Sequence, residues 1–132
     1  MLEIVYLELN KMDKHYRFGK EAEKQAAKYL ENNGYEILER NWRFHKFEID
    51  LIAHDLKNDE IIIVEVKARI DPMVDPIDSI TKKKMRNLVT AADQYLTEND
   101  IEQECRFDII IIEKKKDKWF IEHIEDAFFA TD

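Results

Sequence analysis

Acidic and basic side chains interrupt otherwise apolar segments of this sequence in four places. Asp50 lies within FEIDLIAH, and Glu65 and Lys67 lie within IIIVEVKA. Glu23 and Lys84 lie beside the apolar stripes of two helical segments. The burial of several carboxylates without compensation costs several kcal/mol each, which rivals the stability of a whole domain. A cation should therefore lie among them.

This set of side chains suits metal-assisted phosphodiester hydrolysis. Magnesium is bound through one or two carboxylates, keeps several waters and takes phosphate oxygens as its remaining ligands. The metal polarises the phosphate and lowers the pKa of its water, while a lysine orients that water or offsets the developing charge. A structural alternative stays open, in which Glu65 and Lys67 form an edge-strand ion pair and Glu23 lies at the periphery of its helix.

Two helices must position some of these side chains. Apolar residues at three- and four-residue steps predict a helix at residues 18–33, which ends at Asn33-Gly34. A second stripe predicts a helix at about residues 79–97, capped by Asp78 or Ser79.

Strands must position the others. We predict five strands, at residues 35–44, 47–53, 61–68, 107–112 and 119–124. The short connection at His45-Lys46 predicts that the first two strands are antiparallel. In chain order the elements are αβββαββ, which predicts an α/β fold with a central mixed β-sheet flanked by a helix on each face.

Strict alternation along the strands predicts which side chains share a face of the sheet. It places Asp50 on one face of the second strand, with Ile49 and Leu51 on the other. In the third strand it places Glu65 and Lys67 on one face, about 7 Å apart at two strand rises.

The charge of the chain is negative overall but unevenly distributed. A net charge of −8 argues against a general polyanion binder, because a field of that sign repels phosphate. Residues 14–46 nevertheless contain eight basic and five acidic side chains, and residues 81–97 contain four and one. Between them, residues 47–80 contain three basic and nine acidic side chains. Two basic segments therefore flank the acidic one that holds Asp50 and Glu65.

Other classes of protein and site do not fit the sequence. The longest apolar runs, Ile61–Val64 and Ile109–Ile112, are far shorter than the ~20 residues of a membrane-spanning helix. The first residues lack the pattern of a signal peptide. A single cysteine, Cys105, suits a reducing compartment, so we expect a cytoplasmic protein. The histidines lack metal-ligand spacing, and one cysteine cannot complete a zinc site.

Asp50, fourteen intervening residues and then Glu65-Val66-Lys67 resemble the PD-(D/E)xK nuclease motif. The surrounding segments resemble the YraN-like family of predicted endonucleases over residues 18–129: GKEAEKQAAKYLENNGYEILERNWRFHKFEIDLIA, IIIVEVKAR, KKKMRNLVTAADQYL, RFDIIII and IEHIEDAF. The resemblance implies a restriction-endonuclease-like three-layer fold, similar to that of archaeal Holliday junction resolvases. It implies a single nuclease-like domain at residues 18–132, preceded by an N-terminal extension of unassigned role at residues 1–17.

The resemblance also implies roles for individual residues. Asp50 and Glu65 would be metal ligands, with Glu23 a further or water-mediated ligand, and the metal would be Mg²⁺ or Mn²⁺. Lys67 would be the catalytic lysine. The family's motifs also match three residues that we expect to support the site: Glu48, Arg106 and Asp108.

Basic residues near the predicted site are candidates for contacts with nucleic acid. Positive charges at the start of the second helix oppose its macrodipole, so helix stability does not explain them. Arginines in the first strand interleave with Trp42, a pattern that suits contacts with a phosphate backbone. The candidates are Lys82, Lys84, Arg40, Arg43 and Arg69.

We therefore expect a metal-dependent endonuclease that acts on DNA, ahead of RNA, and that selects branched or damaged structures. The similarity to resolvases also implies a homodimer, because branched DNA offers two symmetric strands. One alternative is a nucleic-acid-binding module that keeps the nuclease fold without hydrolysis. A second is a protein-interaction domain in which the carboxylates are structural.

Overall fold

Two helices and five strands make up the part of the chain that the structure, a computed structural model, describes. That part comprises residues 2–128, with side chains from residue 14 onwards. The elements in chain order are α1 (Leu2–Asn32), β1 (Tyr35–Phe44), β2 (Phe47–Asp55), β3 (Glu60–Arg69), a 3₁₀ turn (Pro76–Ser79), α2 (Lys82–Glu98), β4 (Cys105–Lys115) and β5 (Lys118–Phe128).

The first helix is longer than the sequence pattern predicts. It begins at Leu2, so the predicted boundary between residues 17 and 18 falls within one continuous helix. Met1 and residues 129–132 of the predicted domains lie outside the described residues. The helix ends as predicted, because Gly34 adopts a left-handed φ of 86° that stops the helical backbone. Within residues 2–128, neither helix combines the length and apolar character of a transmembrane segment.

The five strands form one mixed sheet in the order β1-β2-β3-β4-β5. The β1–β2 pair is antiparallel through the short turn at His45-Lys46, which confirms that prediction. β3 and β4 are parallel, and the chain crosses between them through α2.

The two helices pack on opposite faces of this sheet. Alternate residues of β3 show the separation, since Ile62 packs in the cluster that contains α1 residues, whereas Ile61 and Ile63 pack in the cluster that contains α2 residues. The prediction of a mixed sheet with a helix on each face is thus confirmed. We call the two sides the α1 face and the α2 face.

The strict alternation predicted for β2 is wrong at Asp50. Ile49 packs on the α2 face and Leu51 packs on the α1 face, although they were expected to share a face. The paired ladder between β2 and β3 runs no further towards the start of β2 than Leu51, opposite Val64. Beyond it, the Asp50 side chain accepts the backbone N–H of Val66 at 2.8 Å, so a carboxylate replaces a main-chain acceptor.

The predicted cap of the second helix is also wrong. Asp78 and Ser79 lie in the preceding 3₁₀ turn, which Asp75 caps by accepting the N–H of Ile77. Thr81 is the N-cap of α2. The physical reason is local, because the Asp75 cap and a proline at the first position favour a separate short turn.

Candidate active site

Glu65 lies at the centre of a group of charged side chains on the α2 face. It follows Ile61 and Ile63 in the alternation of β3 and is only 4% exposed. Its Oε1 atom lies 2.6 Å from Lys84 Nζ and 3.5 Å from Lys67 Nζ. Two ammonium groups therefore converge on one buried carboxylate.

Lys84 meets Glu65 from the first turn of α2. Its backbone N–H donates to Thr81 Oγ1 at 3.1 Å, the capping bond that fixes the start of the helix. Burial of the Lys84 ammonium opposes its charged form, but the contact with Glu65 outweighs burial and raises the pKa of Lys84 above its usual value. A cation here opposes the helix macrodipole, so the ion pair explains its position better than helix stability does.

Asp50 is the second carboxylate of the group. Burial raises its pKa from 3.8 to about 7, and the negative charges of Glu65 and Glu23 act in the same direction. The hydrogen bond from Val66 and the positive charge of Lys84 only partly offset this rise. Asp50 is thus a carboxylate that needs a further cation to stay ionised near neutral pH.

Glu23 reaches the site from α1, on the other face of the sheet. In the amide orientation that satisfies its neighbours, Asn41 donates to Glu23 Oε2 at 3.2 Å and to Glu48 Oε1 at 2.9 Å. Asn41 has a φ of 51° inside β1. Asn41 was not among the predicted site residues. An asparagine within a predicted strand could have indicated an unusual position, because asparagine is depleted in strands and tolerates left-handed backbone.

The donor set fits a hard divalent cation held by two carboxylates. Asp50 and Glu65 lie on neighbouring strands, and the Lys84 ammonium already places a positive charge on a Glu65 oxygen. Magnesium needs no more than one or two carboxylates, with waters or phosphate completing its shell. Among the described side chains, no three acidic, histidine or cysteine residues form one metal-binding group. The structure thus brings Asp50 and Glu65 together and leaves Glu23 as a charge linked through Asn41.

The raised pKa of Asp50 predicts how stability depends on pH. The folded state holds the Asp50 proton more tightly than the unfolded state, whose pKa is near 3.8. The stabilisation from this proton is fully present below pH 3.8 and is lost as the pH rises through about 7. In EDTA, we expect the free energy of unfolding to fall between pH 5 and 8 by roughly 2–4 kcal/mol more in the wild type than in Asp50→Asn.

Urea denaturation of both proteins at each pH checks this expectation. Asparagine keeps the acceptor for the Val66 N–H but does not ionise, so the difference between the curves isolates the Asp50 proton from the histidines. Added Mg²⁺ should raise the melting temperature of the wild type at pH 8 and leave that of Asp50→Asn unchanged. Parallel stability curves for the two proteins would contradict the raised pKa.

The basic residues predicted to contact nucleic acid lie in three places. Lys82 and Lys84 are in the first turn of α2, Arg40 and Arg43 are on β1, and Arg69 ends β3. Each arginine pairs with a glutamate: Arg40 with Glu31 at 3.4 Å, Arg43 with Glu48 at 3.1 Å and Arg69 with Glu113 at 3.7 Å. Arg43 is thereby connected to Glu48 and Asn41, whereas Arg69 pairs away from Glu65, towards β4.

A groove beside the start of α2 connects Lys84 to the β1–β2 turn. We call it the α2 groove; it has a volume of about 330 Å³. Its lining includes Lys46, Phe47, Glu48, Thr81, Lys83 and Lys84. Three ammonium groups, from Lys46, Lys83 and Lys84, thus face one groove next to Glu65.

Arg106 and Asp108 do not join the Asp50–Glu65 group. They point to the α1 face, and Asp108 lies opposite Val64 in the β3–β4 register. The guanidinium of Arg106 binds both Asp108 oxygens at 2.9 Å and reaches Asp55 at 3.3 Å. His123 Nε2 lies 2.7 Å from Asp108 Oδ2. The sheet therefore separates this buried network from Glu65. Arg106 and Asp108 thus stabilise the fold and do not contact the candidate site.

The comparison with known families matches most of the chain to one family. Residues 22–112 match the model of the uncharacterised protein family UPF0102. The chain belongs to this family. A UPF0102 protein of Parabacteroides distasonis is 45% identical over 113 residues, covering 85% of this chain and 92% of the relative. The UPF0102 protein of Phocaeicola vulgatus is 42% identical over 119 residues, covering 89% and 97%. One from Flavobacterium psychrophilum is 43% identical over 120 residues, covering 89% and 98%.

The region matched to UPF0102 contains the Asp50–Glu65 group and the residues linked to it. It runs from α1 into β4 and includes Glu23, Asn41, Glu48, Asp50, Glu65, Lys67 and Lys84. The names of these three UPF0102 relatives state no activity.

Proposed function

We propose that the protein is a metal-dependent endonuclease that hydrolyses phosphodiester bonds in DNA. The observation that carries the proposal is the convergence of Lys67 and Lys84 on buried Glu65, beside Asp50 on the neighbouring strand. Two carboxylates with a lysine next to them are the groups that metal-assisted phosphodiester hydrolysis requires. The resemblance of the motif residues to the YraN-like family of predicted endonucleases supports the same activity.

Each residue of the site has a distinct part in the proposed reaction. Asp50 and Glu65 would hold Mg²⁺ or Mn²⁺, which when bound polarises a phosphate and acidifies its water. Lys67 orients the attacking water and offsets developing negative charge. Lys84 would contact a phosphate oxygen of the substrate when a metal is held at Glu65.

The surroundings of the site favour a nucleic acid as the substrate. The α2 groove offers the Lys46, Lys83 and Lys84 ammonium groups to phosphates. The remainder of the chain is acidic, so binding would rely on this local charge rather than on the net field. The sheet with a helix on each face is compatible with the restriction-endonuclease-like three-layer fold, which forms part of the proposal.

A cleavage panel tests the proposal. Labelled single-stranded, duplex, flapped and four-way DNA, with matching RNA, are incubated with protein in Mg²⁺, Mn²⁺ or EDTA. We expect metal-dependent cleavage of DNA, and we expect Asp50→Asn to reduce it by about 10³-fold or more, because the metal loses a charged ligand. Asp93→Asn is the matched control, since Asp93 is exposed on α2, and it should cleave at the wild-type rate. Absence of metal-dependent cleavage of every substrate would refute the proposal.

A second candidate function is nucleic-acid binding without hydrolysis. The 2.6 Å contact between Lys84 and Glu65 favours it, because a lysine can neutralise the carboxylate without a metal. This module would bind DNA in a salt-sensitive manner, would retain binding in Asp50→Asn and would not be stabilised by Mg²⁺. A protein-interaction domain would show neither DNA binding nor stabilisation by Mg²⁺.

Two further parts of the proposal concern the state of the protein in the cell. We propose that it acts in the cytoplasm, where its single cysteine stays reduced, and that it forms a homodimer on branched DNA. Sedimentation of a monomer at high concentration, with and without four-way DNA, would exclude the dimer.

A further inference from the structure

A basic groove lies between α1 and β1, and none of the functions above uses it. We call it the α1 groove; it has a volume of about 470 Å³. Its lining residues are Arg17, Lys20, Glu21, Glu23, Lys24, Arg40, Asn41 and Leu51. Four of these side chains are basic and two are acidic, in a chain whose net charge is −8.

The helical periodicity of α1 explains why its cations converge on the groove. Arg17, Lys20 and Lys24 follow one another at steps of three and four residues, which places them on one face of α1. Arg40 faces them from β1. Lys20 is paired with Glu23 at 3.6 Å, whereas Lys24 has no carboxylate within ion-pair distance among the described residues. Arg40 is paired with Glu31 at 3.4 Å, so Lys24 is the lysine of the groove whose positive charge no described carboxylate pairs.

An exposed aromatic ring lies beside these cations. Tyr16 is 65% exposed, and Lys20 Nζ lies 5.8 Å from the centre of its ring. Packing in the core does not explain a tyrosine in this position. An aromatic ring next to a basic groove is the arrangement with which proteins bind single-stranded nucleic acid, because bases stack on the ring while the cations follow the phosphates.

The α1 groove is linked to the candidate active site through Asn41. Glu23 and Asn41 line it, and Asn41 also donates to Glu48 of β2. Leu51, which also lines the groove, follows Asp50 in the chain. A strand bound in the groove would therefore lie against Glu23 and Asn41, which link the groove to Glu48 beside the candidate active site. The volume of the groove lies in the range of small-molecule sites, which is far less than a double helix needs.

We propose that the α1 groove binds an unpaired DNA strand, with phosphates on Lys20, Lys24 and Arg40 and a base stacked on Tyr16. This proposal rests on the proposed endonuclease function. It specifies the substrate of that endonuclease as a duplex with a single-stranded arm. The arm occupies the α1 groove, and the phosphate to be cleaved lies at Asp50 and Glu65.

The binding test uses the Asp50→Asn protein in EDTA, so that cleavage cannot interfere. The probe is a fluorescein-labelled oligothymidine whose affinity is measured by anisotropy over a range of salt concentrations. Tyr16→Ala should weaken binding by roughly 5- to 150-fold, through the loss of one stacked base. Lys24→Ala should reduce the slope of log affinity against log salt by about 0.7, which is the value for one phosphate contact on a single strand.

Lys28→Ala is the matched control, because Lys28 is exposed one turn further along α1 and does not line the groove. It should bind the probe as the parent does. Oligothymidine affinities of Tyr16→Ala and Lys24→Ala within twofold of the parent, in proteins with unchanged melting temperatures, would overturn the proposal. Tighter binding of oligouridine than of oligothymidine would overturn the assignment to DNA.

A cleavage test with residue 50 restored to Asp separates this proposal from the proposed function. Tyr16→Ala and Lys24→Ala should lose the preference for flapped over blunt duplex DNA and should cleave blunt duplex at the wild-type rate. If the two substitutions weaken oligothymidine binding but no substrate is cleaved by the wild type, the α1 groove is supported and the endonuclease is refuted. If cleavage occurs but flap preference survives both substitutions, the endonuclease is supported and the groove proposal is overturned.

Discussion

Replacing Lys67 with methionine should reduce the rate of metal-dependent DNA cleavage by roughly 10²–10⁴-fold. Lys67 Nζ lies 3.5 Å from Glu65 Oε1, and the side chain is 22% exposed, so it can reach both the carboxylate proposed to bind the metal and a water beside it. Methionine has a similar length and no charge. It should therefore remove the ammonium without disturbing β3.

Lys84→Met is the matched comparison, because both lysines contact the same oxygen of Glu65. Lys84 is closer, at 2.6 Å, and more exposed, at 39%. In the proposed reaction Lys84 contacts phosphate rather than the attacking water, so its replacement should lower the cleavage rate by only about tenfold, the scale of one exposed charged contact. Its loss should also strengthen Mg²⁺ binding, because the Glu65 oxygen becomes free.

Two measurements distinguish the lysines. Single-turnover cleavage reports the rate, and the melting temperature as a function of Mg²⁺ concentration reports the affinity for the metal. Lys67→Met should keep the wild-type stabilisation by Mg²⁺, whereas Lys84→Met should reach it at a lower Mg²⁺ concentration. If Lys67→Met cleaves at the wild-type rate and Lys84→Met is inactive, Lys84 is the catalytic lysine and the role assigned to Lys67 is wrong.

Replacing Arg106 with alanine should reduce the free energy of unfolding by roughly 3–5 kcal/mol. Arg106 is 4% exposed, and its guanidinium holds Asp108 through two bonds and Asp55 through a third. It also donates to the Tyr35 hydroxyl at 3.0 Å. Removing the arginine leaves two buried carboxylates without their main cation. Such substitutions are costly because the remaining buried charge has no partner.

The pKa of Asp108 shows how strongly this network favours the charged carboxylate. Burial alone would raise it, but hydrogen bonds from His123 and Arg106 hold the pKa of Asp108 below its usual value. The stabilisation from ionised Asp108 is present above its unfolded pKa of about 4 and is lost as the pH falls through the lower folded pKa. The loss in free energy of unfolding caused by Arg106→Ala should thus be larger at pH 7 than at pH 3.

Urea denaturation measures this effect, with Arg40→Ala as the control. Arg40 forms an exposed pair with Glu31, so its replacement should change stability by less than about 1 kcal/mol. If Arg106→Ala does not fold, Arg106→Lys keeps the charge but loses the two-bond geometry and should lie between the wild type and the alanine variant. A loss below about 1 kcal/mol for Arg106→Ala would show that the network contributes little to stability.

The sequence predicted the elements that position the candidate site. The period of two in β3 placed Glu65 and Lys67 on one face, and the short turn at His45-Lys46 made β1 and β2 antiparallel. Both predictions hold because they depend on local geometry, in which a side chain alternates across a strand and a short turn reverses the chain. The fold class followed from the order of helices and strands for the same reason.

Predictions failed where a side chain replaced a backbone partner or capped a helix. Periodicity could not show that the Asp50 carboxylate takes the N–H of Val66, and so it placed Ile49 and Leu51 on one face. The pattern of α2 could not distinguish Thr81 from Ser79 as its cap, because both hydroxyls can accept the same kind of bond. The length of α1 was missed since the regular apolar pattern begins only after Met12.

By itself, the sequence determined the mixed sheet, its two covering helices and the presence of buried charge on β3. Each of these features follows from the spacing of apolar residues along a single element. Only the tertiary structure decided which charges meet. Lys84 of α2 contacts Glu65, and Asn41 links Glu23 to Glu48. Arg106 and Asp108 lie on the face away from the candidate site. These contacts join residues far apart in the chain, and their distances depend on strand register and helix position, which the spacing within one element does not encode.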